Sequence, residues 1–586
     1  MVFVCSQSSG LAQVSLFKEV TASVGVAVKG NNWGVAFGDF NNDSREDILV
    51  TRFGQGNLLY KNSGDGRFEE ISQITGLDIN QKNGMAVWGD IDNDGLLDLY
   101  LAGIEEPNRL FKNTGAESFT DISETAGVAD SGKTEAVAFT DFNLDGHLDL
   151  FVFNRAAQNR FYQNKGQWVF EDVSNRTHTT GRSNAMGLAF TDYDNDGDQD
   201  LYLVYDGKMA NNLYRNDGGV FTEVAQQAGV AVQAEGMAPA FGDFNNDGWL
   251  DLYITNMFEN ILFKNNGDGT FKNVTESAGV GDTGMGWGVS WLDFDNDGWL
   301  DLYVANASSF NTPPDPNVLY HNNGDGTFSM VNAQDPSSSL LSSFGAATAD
   351  LNQDGYLDLF ITNQGAENQL FQNLGGEHHW LAIKLIGTSS NRDALGAKVE
   401  LRAGDLTLYR EVTSACGWVS QNSLTLHFGL AHNTSVDEIE IKWPSRKIDY
   451  FYQIPADQKI IIQEHVGIIT SVGAQRAITA TSKVFSLSAV YPNPFTAENP
   501  AGQLGQTGVT IQFRVHDTTT NMTTLTIYNL LGQKVKTLLA APQTAGQFSV
   551  KWNGKNDRKQ LLSPGMYLVV LRRGAEMQSR KILLMK

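Results

Sequence analysis

Two cysteines in 586 residues, Cys5 and Cys416, exclude a disulfide framework as the staple of this chain. No run of about 18 apolar residues occurs, so no transmembrane helix is expected. Positive charge is scarce: 42 Lys and Arg stand against 67 Asp and Glu, a formal net charge of −25. An acidic surface argues against nucleic acid and anionic membrane as partners. Hydrolase signatures are also missing, with no Gly-x-Ser-x-Gly elbow, no His-Glu-x-x-His and no clustered His/Cys set for zinc.

What is abundant is aspartate in a fixed pattern. Seven loops begin at Asp39, Asp90, Asp141, Asp192, Asp243, Asp293 and Asp350, spaced by 51, 51, 51, 51, 50 and 57 residues. Counted from the first Asp, position 3 is Asp or Asn, position 5 is Asp, position 6 is Gly in six of the seven and position 9 is Asp. Hard oxygen donors at alternate positions around a glycine turn resemble the first part of an EF-hand loop. Side chains at 1, 3, 5 and 9, with the carbonyl of residue 7, can surround one ion. Calcium accepts 6–8 oxygens in flexible geometry, whereas magnesium demands an octahedron and keeps its waters. A simple Asx turn needs Asn or Gly but not three converging carboxylates.

The expected ligands are therefore Asp39, Asn41, Asp43 and Asp47; Asp90, Asp92, Asp94 and Asp98; Asp141, Asn143, Asp145 and Asp149; Asp192, Asp194, Asp196 and Asp200; Asp243, Asn245, Asp247 and Asp251; Asp293, Asp295, Asp297 and Asp301; and Asp350, Asn352, Asp354 and Asp358. Up to seven Ca2+ ions would take the net charge from −25 to −11. The first loop departs from the pattern, with Ser44 in the glycine position and Arg45 after it. A non-glycine residue there is disfavoured, so this site is expected to be the weakest.

Each loop lies between two short strands, such as Met85-Ala-Val-Trp-Gly89 and Asp98-Leu-Tyr-Leu101. Next comes Asn-x-(Leu/Phe)-(Tyr/Phe)-x-Asn, as in Asn108 to Asn113, and then a fourth strand opening on Phe68, Phe119, Phe170, Phe221, Phe271 or Phe328. Four short strands at a period near 50 residues predict β-propeller blades. The seventh repeat lacks its fourth strand, and Phe17-Lys-Glu-Val20 at the other end matches it. The N-terminal strand is expected to close the ring and remove the open edge.

Connectivity puts the Asp loops on one face. The other face carries Arg52-Phe53, Arg155, Tyr205, Lys208, Met257-Phe258 and the insert from Ala307 to Pro316. Six residues before five of the Asp loops stand Trp33, Met186, Met237, Trp287 and Phe344, either a ligand rim at the channel mouth or packing between blades. Trp249, Trp299 and Tyr356, at loop position 7, read either as exposed sugar platforms or as packing against a neighbouring loop.

The repeats, over about residues 17–373, resemble the FG-GAP/VCBS repeats of integrin α-subunit propellers and of many bacterial surface proteins. The resemblance implies calcium on one face and recognition of a protein or glycan on the other. After Glu377-His378-His379, Asn391-Arg-Asp-Ala-Leu-Gly-Ala-Lys-Val399, Gly417-Trp-Val-Ser-Gln421, His427-Phe-Gly-Leu430 and Lys442-Trp-Pro-Ser445 resemble an ASPIC/UnbV domain, which follows such propellers in cartilage acidic protein-like chains. Trp418 replaces the usual Tyr and Arg446 stands where Gly is common. His427 has no paired nucleophile and reads as structural. Leu487-Ser-Ala-Val-Tyr-Pro-Asn-Pro-Phe495, Trp552-Asn-Gly554, Ser563-Pro-Gly-Met-Tyr567 and Lys581 to Lys586 resemble the Ig-like sorting domain of the type IX secretion system. That resemblance implies export across an outer membrane.

The expected architecture is all-β: a seven-bladed β-propeller (13–376), an ASPIC/UnbV β-sandwich (377–466), a linker (467–485) and a C-terminal Ig-like β-sandwich (486–586). Residues 1–12 read as the remnant of a secretory signal lacking its basic segment. The expected protein is a secreted or outer-surface calcium-binding module for an extracellular protein or polysaccharide, handled by the type IX secretion machinery, and not an enzyme. The rival is a calcium-dependent polysaccharide lyase or hydrolase, for which Glu135 and Glu235 near the channel mouth are the acidic candidates. A spacer carrying other surface components is a third reading.

Overall fold

Every repeat folds as a four-stranded antiparallel blade, and the second shows the plan. Gln81–Gly89 pairs with Asp98–Gly103, which pairs with Arg109–Asn113, which pairs with Phe119–Asp121. The computed structural model describes residues 15–472, apart from 65, 182–183, 208, 309–314 and 332–334. Beyond these it describes 485–491, 495–496, 508–515, 521–529, 533–544, 546–573 and 576–585. The signal-like segment 1–12 therefore lies outside the described residues. The chain divides into two compact units, 1–474 and 475–586.

The strands are short because each crosses only the thickness of a disc, and they are buried because both faces of a blade meet another blade. Apolar side chains therefore occupy successive positions, as parallel packing of sheets on both sides demands. The Tyr of each Asp-Leu-Tyr strand is fully buried, and its hydroxyl donates to a carbonyl in the connection between blades: Tyr100 to Val128, Tyr202 to Val230 and Tyr253 to Val280 at 2.8 Å, and Tyr303 to Ser337 at 2.9 Å.

Ring closure follows the expected route. Phe17–Glu19 pairs antiparallel with Gln369–Asn373, in register Phe17 to Asn373. Phe17 is buried against Phe294 and Phe371 in the last blades. The one-turn helix Thr21–Val24 then ends on Gly25 at φ 92°, as Thr275–Ala278 ends on Gly279 at φ 77°. These turns were not foreseen from the sequence. The left-handed glycine lets the chain reverse into the next blade.

The middle domain is a pair of four-stranded sheets. One has the order Leu426–Ala431, His379–Ile386, Gln458–Gln463, Gly467–Val472; the other Leu406–Glu411, Lys398–Ala403, Ser435–Lys442, Ile448–Pro455. Gly467–Val472, expected to begin a linker, is an edge strand paired with Gln458–Gln463. It reads Gly-Ile-Ile-Thr-Ser-Val, rich in β-branched residues that suit a strand, and backbone hydrogen bonds to a neighbour place it in the sheet. The middle domain packs on the Asp-loop face of the propeller, a docking that no local pattern announces.

The C-terminal unit also has two sheets. One holds Phe485–Tyr491, Val509–Val515 and Gly546–Trp552; the other holds Phe495–Thr496, Glu576–Met585, Gly565–Arg573, Asn521–Asn529 and Lys534–Gln543. Phe495, the end of the Pro-Asn-Pro-Phe stretch, is buried on Trp552 and pairs in parallel with the final strand. Pro492 to Pro494 lie outside the described residues. Among the described residues no helix is long and apolar enough to cross a membrane.

Candidate metal loops and the covered channel

The seven loops share one hydrogen-bond plan, visible in the second, except that the first and third lack the bond to Oδ2 of the last Asp. Asp90 Oδ1 accepts from the N–H of Asp94 (2.9 Å) and Oδ2 from Gly95 (2.7 Å), while Asp94 Oδ1 accepts from Leu96 (2.9 Å). Asp98 Oδ1 accepts from the Asn113 N–H at 2.8 Å and Oδ2 from Ile91 at 3.1 Å. The loop thus folds back on its first carboxylate and is locked to the third strand by its last one. Carboxylate oxygens of three residues lie within 4.8 Å of one another in the second (Asp90, Asp92, Asp98), fourth (Asp192, Asp194, Asp200) and sixth loops (Asp293, Asp295, Asp297). These are the copies with Asp at position 3. In the others Asn41, Asn143, Asn245 and Asn352 offer an amide oxygen instead.

Electrostatics show what such a site lacks. Burial, with neighbouring carboxylates adding to it, pushes Asp98 up to about 8 and Asp90, Asp141 and Asp350 to about 7. Burial also raises Asp47 to about 8, and it holds Asp149, Asp200, Asp251, Asp293 and Asp358 well above the usual carboxylate range. Asp47 Oδ2, Asp149 Oδ2 and Asp92 Oδ1 are buried with no hydrogen-bond donor. Converging hard oxygens, some without a proton or donor to satisfy them, fit a divalent cation of the calcium type.

Cations of the protein already lean on several loops. In the first, Arg45 pairs with Asp43 at 2.5 Å, and Ser44 is held at φ 69° in the glycine position. Lys112 bonds Asp92, Lys264 bonds Asp247 at 2.9 Å, and His321 sits 3.2 Å from Asp301, which raises the imidazole to about 9.

Position 4 of each loop, which the sequence reading passed over, ties the loops together. Asn42 donates to the Gly95 carbonyl of the next loop, Asn93 to Gly146, Asn195 to Gly248, Asn246 to Gly298 and Asn296 to Gly355; Gln353 closes the circle onto Ser44. All six are left-handed, where Asn is the best tolerated ordinary residue. Leu144, also left-handed at φ 56°, has no such donor and breaks the ring between the third and fourth loops. A second ring runs beneath. The Asn that ends each third strand donates to the preceding blade, as Asn113 does to Phe40 and Asn62 to Leu351. The repeated Asn in the motif was visible in the sequence; its partners, 73 and 289 residues away, were not.

The Asp-loop face is covered by the middle domain. Lys384 reaches Asp39 (3.9 Å), Arg392 Asp90 (3.3 Å) and Lys398 Asp192 (2.9 Å), while Asn391 lies 3.5 Å from Asp141. His427 Nε2 meets the Gly355 carbonyl at 2.9 Å, and burial depresses this imidazole to about 4. It is a neutral structural group.

The stretch Ser414 to Asn422 enters the central channel. Ser420–Gln421 pairs in parallel with Val35–Ala36, and Ser414 Oγ bonds the Phe139 carbonyl. Gly417, at φ 58°, comes so close to Val289 that a Cβ would fall 2.4 Å from its carbonyl oxygen. Trp418 is buried among Trp33, Trp287 and Phe344, with ring centroids at 5.2, 4.5 and 5.3 Å. These three rim residues therefore form neither an open ligand rim nor only a seam between blades; they hold a plug from another domain. Met186 and Met237 are buried as well.

Trp249, Trp299 and Tyr356 lie over Gly267, Gly324 and Gly375 of their own blades, the packing alternative rather than a platform. Glu135 is buried and bonded to Arg155, which also holds Asp206. Among the described residues no contact joins Glu235 to Glu135. On the face away from the loops Phe258 is 64% exposed. Lys208 and residues 309–314 of the insert lie outside the described residues.

Comparison with known families matches this architecture piece by piece. The FG-GAP-like repeat model matches residues 39–101, 90–152, 141–203, 192–254, 255–304 and 307–361, together more than half of the chain. The ASPIC and UnbV model matches 387–468, and a FlgD Ig-like domain model matches 500–574. Cartilage acidic protein 1 of Xenopus tropicalis is 28% identical over 212 residues, 34% of this chain and 33% of that protein. The Homo sapiens protein of the same name is 27% identical over 208 residues, 33% of this chain and 31% of its own. The chain thus spans about a third of the length of the curated relatives it matches. Among solved structures, a lectin of Agrocybe aegerita, described as recognising non-reducing terminal N-acetylglucosamine, is similar over 53% of this chain and 82% of its own, at 18% identity and a TM-score of 0.38. BBS1N, solved with ARL6DN, is similar over 61% of this chain and 97% of its own, at 8% identity and a TM-score of 0.42. At those scores neither likeness carries an argument about this chain.

Proposed function

The chain belongs to the FG-GAP-like repeat family, and from that premise we propose that it is an extracellular calcium-binding module whose propeller recognises a protein or polysaccharide. The observation that carries the metal part is the convergence of carboxylate oxygens in the second, fourth and sixth loops, with donor-less buried oxygens on Asp47, Asp92 and Asp149. Asp at positions 1, 5 and 9, with Asp or Asn at 3, would hold each ion. The bound ion would replace protons on these carboxylates and fix the loop between its strands. Because the channel and the Asp-loop face are covered by the middle domain, recognition is assigned to the opposite face, around Arg52, Phe53, Arg155 and the exposed Phe258. Loops on a rigid scaffold are where binding is commonly carried. A glycan and protein array probed with the full chain, with calcium and with a chelator, tests this reading. Binding lost on replacing Phe258 and Arg52 by Ala, with the fold intact, supports it; no ligand with the folded protein, or binding indifferent to that face, defeats it.

Export is proposed to run through the type IX machinery. The support is the Pro492-Asn-Pro-Phe495 stretch and the basic, apolar last strand, where Ile582 and Leu584 are buried. Deleting residues 486–586 should leave the remainder inside the outer membrane. Normal surface display of the deletion protein would sink the idea.

A further inference from the structure

Between the Asp-loop face and the middle domain lies a cavity of about 340 Å³. Phe190, Leu250 and Trp291 from the propeller and Leu424, Leu426 and Ile461 from the middle domain form its apolar walls, and polar groups including Glu46, Asp243, Asp293, Asp350, Glu411 and Lys459 line the rest. By liquid volume it would hold roughly ten waters at about 30 Å³ each, but each buried water needs 2–4 polar partners. The apolar walls supply none, so that part of the space suits an organic body better than a water cluster.

One charged group in the wall has a donor nitrogen without an acceptor. Arg410, on the strand Leu406–Glu411, gives Nη1 to the Tyr409 carbonyl at 2.9 Å. Its Nη2 is buried with no hydrogen bond, and among the described residues no carboxylate is recorded in an ion pair with it. The nearby carboxylates are otherwise engaged. Asp243 accepts from the N–H groups of Asp247 and Gly248, and Asp293 from those of Asp297 and Gly298. Glu411 accepts from Thr191, the Asp192 N–H and Gln199. Glu46 accepts from Ser423 and Thr425. Asp243 and Asp293 act on the guanidinium through space and its Cζ lies 5.5 Å from the Phe428 ring, but Nη2 itself meets no acceptor, and a buried donor left without an acceptor is costly. A smaller hollow of about 140 Å³ shares Leu250, Tyr409, Arg410 and Glu411 with the cavity and is also lined by Lys398, Glu400 and Lys442. Lys442 is more than half exposed, so this hollow reaches solvent.

We propose that the cavity is a binding site for a small amphipathic carboxylate, its acid group on Arg410 and its hydrocarbon or aromatic body against Phe190, Leu250, Trp291 and Leu424. A pocket of this size, with more apolar than polar surface and a few polar groups beside it, is the usual form of a small-molecule site. Guanidinium suits a carboxylate because it donates two parallel N–H groups. The site is separate from the recognition face proposed above and does not depend on it.

The test is calorimetric titration of the full chain, in calcium, with three probes of equal length: decanoate, decanol and decylamine. Decanoate should bind at one site, at least tenfold tighter than decanol, and decylamine weakest. Arg410→Met should weaken decanoate at least tenfold and leave decanol unchanged. Leu424→Trp, which fills the cavity, should weaken both and keeps the test valid where the Arg410 variant does not fold. Failure of decanoate to bind the folded protein, equal binding to a folded Arg410→Met protein, unchanged binding to Leu424→Trp, or tighter binding of decylamine would each overturn the proposal.

Discussion

Trp418 of the middle domain packs at a tilt of 49° against Trp33 of the first blade, ring centroids 5.2 Å apart, inside the propeller's channel. The two positions are 385 residues apart in the chain, and the contact makes one folding unit of two sequence domains. Trp287 and Phe344 complete the aromatic sleeve.

Trp418→Ala should therefore act on the propeller as well as on its own domain. Deleting a fully buried indole costs about 3–5 kcal/mol. In calorimetry the transition of the 1–474 unit should move down as a whole, because the channel loses its filling. The transition belonging to the C-terminal core, built from Phe495, Ile511, Trp552 and Val569, should stay in place. Separate melting of the propeller at its original temperature would count against the plug.

Calcium should stabilise the propeller loop by loop. With about 1 mM calcium and a dissociation constant of about 0.1 mM, one site contributes roughly 1.4 kcal/mol. Asp94→Ala should remove such a contribution, whereas Asp43→Ala should remove little of the calcium-dependent part, because Arg45 already pairs with Asp43. The double replacement Ser44→Gly and Arg45→Leu should create a stronger first site. Thermal melts with and without a chelator decide it. Equal losses for Asp94→Ala and Asp43→Ala would remove the basis for ranking the sites.

The metal-free protein should lose stability as pH rises. Asp98 is pushed up to about 8 and Asp90, Asp141 and Asp350 to about 7, all above the unfolded value near 4. Folded carboxylates with raised values hold protons that the unfolded chain has released. Their contribution is fully present below about pH 4 and is lost as pH climbs through 7 to 8. Chelated protein should thus melt lower at pH 8 than at pH 6, and calcium should abolish or reverse that trend. Calcium binding near pH 6.5 should release protons, read as a dependence of the calorimetric heat on the buffer's ionisation enthalpy. Heats independent of buffer would contradict it.

Leu144→Asn should stabilise the propeller by about 1 kcal/mol. The position is left-handed, a conformation costly for Leu by about 1–2 kcal/mol and easier for Asn. The new amide would also face the Gly197 carbonyl, restoring the link that six other loops make. A melting temperature unchanged or lowered in Leu144→Asn would show that the broken link is irrelevant.

The sequence by itself determined the blades, their number and the loop chemistry. Those features repeat with a fixed period, and each depends on residues close in the chain: the Asp loop, the strand that follows and the Asn hairpin. Even closure by Phe17–Glu19 was legible, because a missing strand at one end matched a spare one at the other. Tertiary structure alone decided what covers the loops and fills the channel. Trp418 stands in an ordinary β-domain motif, and nothing local distinguishes a tryptophan that packs at home from one inserted into a neighbouring ring. Arg410 is adjacent to Glu411 and looks paired on paper, yet the Glu411 carboxylate accepts from Thr191 and Gln199, and Arg410 Nη2 is left without an acceptor beside the cavity that both residues line. Short-range pattern sets the fold of each piece; the fit of one surface on another, between residues hundreds of positions apart, sets which groups remain available to bind.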